Sequence, residues 1–79
     1  MRVSTHRIQG KVNDMVMSEF RFDNRQYLSV VQDNLVSIYE IDAQGCNVKL
    51  NRKIQVKNAL KCEWTKLVNG KELYLIIGT

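Results

Sequence analysis

Val12–Gln32, VNDMVMSEFRFDNRQYLSVVQ, aligns with Ala59–Thr79, ALKCEWTKLVNGKELYLIIGT, without a gap at an offset of 47 positions. Met15 falls over Cys62, Met17 over Trp64, Ser18 over Thr65 and Phe20 over Leu67. Tyr27-Leu28 falls over Tyr74-Leu75, and Ser29-Val30 over Ile76-Ile77. The second copy contains Asn69-Gly70, a dipeptide that supplies the positive φ angles of a tight hairpin. Its counterpart should then be a hairpin too. Val12–Phe20, whose Met, Glu and Asp residues suit a helix by propensity, therefore reads as a strand.

Working outward, Tyr27–Gln32 is a short apolar run that turns at Asp33-Asn34 and returns as Leu35–Asp42. Leu35, Tyr39 and Ile41 alternate with Val36 and Ile38, the pattern of a central strand covered on both sides. Val48–Val56 alternates as a half-exposed strand. Val48, Leu50, Ile54 and Val56 are expected on one face, with Lys49, Asn51, Lys53 and Gln55 on the other. Arg52 interrupts the apolar row and places this strand at an edge, where its head reaches water. Leu60–Leu67 and Leu73–Gly78 complete the series.

Four strands repeating every 40–50 residues are the mark of a β-propeller blade. The expected fold is all-β: antiparallel four-stranded meander blades, about one and a half of them. Residues 1–79 read as a single all-β unit, with 10–58 as the first blade and 59–79 as the start of a second. A small closed β-barrel is the alternative. A closed propeller needs more blades than this, so the chain is expected to join another chain or the rest of its own propeller, since an open blade exposes apolar faces.

Composition agrees with a small folded domain: 79 residues, 44% hydrophobic and 25% charged. The net charge of +4 suits acidic peptides, nucleic acid or anionic surfaces. Lys49, Arg52, Lys53, Lys57 and Lys61 form a basic stretch without an acid, which a solvated strand face explains most simply. Cys46 and Cys62 stand sixteen apart, and with His6 they are too few for a zinc site. No leader peptide or membrane span is read, and the expected compartment is intracellular and reducing, with free thiols.

No catalytic constellation emerges. Asp33 and Glu40 lack a companion base, and the serines lack a Gly-x-Ser-x-Gly elbow. Neither enzyme activity nor a cofactor is expected. Asp33 is expected to bond the backbone of its own turn, and Trp64 and Tyr74 to pack.

The stretch Tyr27–Asp42, YLSVVQDNLVSIYEID, resembles the middle of a WD-repeat: an apolar strand, an aspartate in a tight turn, then a branched strand carrying an aromatic. IYEIDAQGCNVKLNRKI, ALKCEW and ELYLIIGT resemble the spindle-checkpoint class of WD-repeat proteins, budding uninhibited by benzimidazole. The chain departs from that pattern in having Gln32 where tryptophan is common and Asn34 where glycine is common. It also lacks the Gly-His pair at Gly10-Lys11 and Lys57-Asn58.

The resemblance implies a non-enzymatic scaffold that takes short peptide motifs, acidic or phosphorylated, at one rim. For the checkpoint class it further implies kinases and phosphorylated kinetochore proteins as partners, in the nucleus. The rim positions are Lys11, Gln32, Asn34, Lys57 and Asn58. The alternative is a basic barrel binding single-stranded nucleic acid, with Lys49–Lys61 tracking phosphates and Tyr27, Tyr39 or Trp64 stacking bases.

Overall fold

The computed structural model describes residues 7–18, 25–42, 47–66 and 73–79. His6, Phe20, Cys46 and the Asn69-Gly70 turn lie outside the described residues. The described elements are β1 (Asp14–Met17), β2 (Gln26–Gln32), β3 (Leu35–Ile41), β4 (Val48–Gln55), β5 (Lys61–Lys66) and β6 (Leu73–Gly78). The order β1-β2-β3-β4 is an antiparallel meander, and β5-β6 is a second, two-stranded sheet. The described strands thus form two open sheets and no closed barrel, which removes the alternative architecture.

The two hairpins share one register. Asp14 faces Val31 and Lys61 faces Gly78; Met17 faces Leu28 and Trp64 faces Leu75. Each pair maps onto the other at the offset of 47 found in the sequence. The backbone bond entering each hairpin is repeated as well: Asn13 N–H to Val31 O at 2.7 Å, and Leu60 N–H to Gly78 O at 2.9 Å.

Residues paired across an antiparallel ladder share a side of the sheet. One face of the four-stranded sheet therefore carries Val16, Tyr27, Ser29, Val31, Val36 and Ile38. The β5-β6 hairpin lies on it. Val31, Val36 and Ala59 are fully buried there with Cys62, and Val16, Val56, Leu75 and Ile77 pack around them. The Tyr27 and Trp64 rings meet with centroids 5.8 Å apart, and the Trp64 indole N–H donates to Val16 O at 3.2 Å.

Strand β4 corrects the alternation expected for it. Ile38 pairs with Arg52 but its neighbour Tyr39 pairs with Leu50, so Asn51 is an extra residue in a β-bulge. A one-residue shift exchanges faces. Val48 and Leu50 lie on the side of Tyr39 and Ile41, whereas Ile54 lies on the side of Val36. The four apolar residues do not share a face. Lys49, opposite Glu40, and Lys53, opposite Ser37, likewise fall on opposite faces.

Candidate functional site

Three segments meet at the end of the sheets where β2 turns into β3. The Asp33-Asn34 turn is exposed, as are Lys57 and Asn58 in the turn after β4. The turns are joined by backbone: Val56 N–H donates to Asn34 O at 3.3 Å, and Ala59 N–H donates to Asp33 O at 3.0 Å. The third segment comes from before β1. The Asn13 side-chain amide donates to Asp33 Oδ1 at 2.8 Å and to Ala59 O at 2.9 Å. One amide thus binds both turns, because its two N–H groups diverge and each finds an acceptor from a different segment.

Of the positions named from sequence, Lys11, Asn34, Lys57 and Asn58 are exposed on these joined segments. Gln32 is half-buried, and its amide donates to Gln9 O at 2.7 Å, so it anchors the leading segment. Gly10 follows with φ of +94°, a conformation that side chains with a Cβ resist. Asn58 has φ of 59°, in the left-handed region that Asn tolerates better than most residues. The expectation for Asp33 needs correction: its side chain leaves its own turn and bonds Asn13, twenty residues away. Asn13 belongs to the Gly10–Asn13 segment expected on this rim, but it was not among the contact residues named, and its bonding role was missed. Its signal was available, since a polar residue just before β1 must lie beside the β2–β3 turn once the hairpin register is known.

Charge at this rim is supplied by Lys11 and Lys57 on the cationic side and Asp33 on the anionic side, with the Asp33 carboxylate already hydrogen-bonded. The arrangement can attract an anionic group and offer exposed amides to a peptide backbone. Lys49 sits at the other end of β4, on an open cavity of about 190 Å³ lined also by Arg25, Glu40, Asp42 and Asn47. Apart from Lys49, the polar groups there bond one another. Arg25 pairs with Glu40 at 2.9 Å, the Asn51 amide donates to Glu40 at 2.9 Å, and the Asn47 amide donates to Asp42 at 2.9 Å.

Cys62 lies buried between the sheets. Burial pushes its thiol pKa up; the Ser29 bond works against this, and the Asp14 charge adds to it. Ser29 Oγ donates to Val16 O at 3.1 Å, so the 2.8 Å contact with Cys62 Sγ is best read as the thiol donating to Ser29. Asp14 accepts the Cys62 backbone N–H at 3.2 Å and the Met15 N–H at 2.9 Å. The thiol is held neutral and inside, the reverse of an activated nucleophile.

The supports for nucleic-acid stacking are dispersed. Tyr27 and Trp64 pack on each other between the sheets, and Tyr39 lies on the opposite face from Tyr27. Compared with family models, with curated proteins and with solved structures, the chain matches none.

Proposed function

We propose that this chain is one full blade and the start of the next in a WD-repeat-type propeller, and that it serves as a non-enzymatic scaffold capturing short acidic or phosphorylated peptides at the rim formed by Lys11, Asn34, Lys57 and Asn58. The checkpoint class is the nearest resemblance, which extends the proposal to phosphorylated kinetochore partners in the nucleus. The observation that carries the reading is the knot of bonds from Asn13 and the two turns. It holds exposed cations and amides on a fixed frame, as peptide capture without large ordering cost requires.

The test contrasts two lysines. Lys49 near the start of β4 and Lys57 in the turn beyond its end lie eight positions apart, a separation of up to roughly 26 Å at about 3.3 Å per residue, which the bulge and the turn shorten. That exceeds the screening length of about 8 Å at physiological salt. Titrating a fluorescent phosphopeptide pool should show Lys57→Glu weakening binding several-fold and Lys49→Glu changing it little. Equal losses for both, with the parent favouring a single-stranded oligonucleotide over every peptide, would overturn the scaffold reading.

A further inference from the structure

The leading segment crosses the rim as a short arch with two fixed feet. At the first foot the Gln32 amide donates to Gln9 O at 2.7 Å. At the second, Asn13 donates its backbone N–H to Val31 O at 2.7 Å and its side-chain amide to Asp33 and to Ala59 O. The chain bends at Gly10 and again at Asn13, and Gly10, Lys11 and Val12 between the feet are exposed. The feet are held by sequence neighbours, Gln32 and Asp33, whose Cα atoms stand about 3.8 Å apart. The arch is thus gathered at its base, with Lys11 midway along it. Gly10 makes the first foot possible: its φ of +94° suits glycine, and a Cβ there would stand 3.2 Å from Gln32 Nε2.

We propose that Gln32 is a positioning residue for phosphorylated peptides at this rim. By fixing the arch it presents Lys11 to the phosphoryl group, and so helps to set the preference for a phosphorylated over an unphosphorylated peptide. The inference rests on the rim as the capture site and adds a residue that acts through Lys11 without touching the ligand. The reason is the small worth of an exposed charge pair, which changes affinity about two- to fivefold. A ligand that first had to order the backbone of a free segment would lose more than that. Lys11 therefore contributes only on a segment ordered beforehand, and the Gln32 amide is one of the two ties that order it.

The experiment titrates a fluorescent phosphothreonine peptide pool without Asp or Glu, before and after phosphatase treatment. The proteins are the 79-residue chain, Gln32→Met, Gly10→Ala, Lys11→Ala and the Gln32→Met, Lys11→Ala double variant, each checked for folding by circular dichroism. Methionine keeps the unbranched shape of glutamine and removes the donor. Lys11→Ala should weaken phosphopeptide binding about two- to fivefold, and Gln32→Met and Gly10→Ala should approach that loss. In the Lys11→Ala background Gln32→Met should change nothing further, and binding of the dephosphorylated pool should be the same throughout. A Gln32→Met loss that persists in that background, or that extends to both pools, is the mark of a structural role and would overturn the proposal. Trypsin reads the arch without any ligand: cleavage after Lys11, followed by mass spectrometry, should be about two- to fivefold faster in Gln32→Met, since one exposed hydrogen bond is lost. Equal cleavage rates would overturn the arch as a fixed element. A parent that binds neither pool would overturn the rim reading and this role with it, whereas a parent that binds while Gln32→Met keeps its full affinity overturns this role alone.

Discussion

Replacing Asn13 by alanine removes the one side chain among the described residues that joins the leading segment to both rim turns. Two bonds are lost, at 2.8 Å to Asp33 and 2.9 Å to Ala59 O. Asp33 is exposed and its carboxylate regains water, so that bond contributes about 0.5–1 kcal/mol. Ala59 is fully buried and its carbonyl is left poorly solvated, at a cost of about 1–1.5 kcal/mol. The expected loss is about 2 kcal/mol. With a urea m-value near 1 kcal/mol/M for a chain this small, the unfolding midpoint should fall by roughly 2 M.

A cycle with Asp33→Ala isolates the first bond. The double variant should be less destabilised than the sum of the singles by about 0.5–1 kcal/mol. Asn13→Asp should be worse than alanine at neutral pH, where it sets two carboxylates together. An alanine variant within about 0.5 kcal/mol of the parent would show that backbone bonds alone hold the rim, and the reasoning about the amide would be wrong.

Val36→Ala, which truncates a fully buried side chain between the sheets, should cost about 2 kcal/mol in denaturant unfolding. In a Cys46→Ser background, Cys62 should resist alkylation in the folded chain and label at the rate of opening, which mass spectrometry against urea would read. Its folded pKa lies above the ordinary 9.0 and the unfolded thiol ionises first; the stability that the neutral thiol contributes is therefore complete below pH 9 and lost as the pH rises beyond it, as urea midpoints across alkaline pH should show for the parent and not for Cys62→Ala. Asn58→Gly should keep the fold, since glycine accepts a φ of 59°, while removing a rim amide, so peptide affinity should fall without a change in melting temperature.

Local signals carried most of the fold. Asp33-Asn34 between two apolar runs located the β2–β3 hairpin, and Leu73–Gly78 was bounded correctly because the chain there is uninterrupted β-branched and aliphatic residues. The repeat placed β1, where propensity could not, and the common register of the two hairpins follows from the same offset. The bulge at Asn51 escaped because counting alternate positions assumes one residue per partner; Arg52 breaking the apolar row was its trace. At the rim, exposed turn residues were legible from turn chemistry alone. The Asn13–Asp33 bond was not, because it joins residues twenty apart whose meeting depends on how β1 enters the sheet.

Asn51 acts as a phase shifter in a two-beat pattern. On one side of it β4 places Ile54 on the face of Val36, which the second sheet covers; on the other it places Val48 and Leu50 on the opposite face. A single strand is thus divided between two neighbours, and substitutions in its two halves report on different layers. Deleting that one residue would restore one-for-one pairing, with Leu50 still opposite Tyr39 and Lys49 still opposite Glu40, so both halves would keep their sides and the ladder would lose only its bulge; inserting a further residue there would instead exchange the sides of one half.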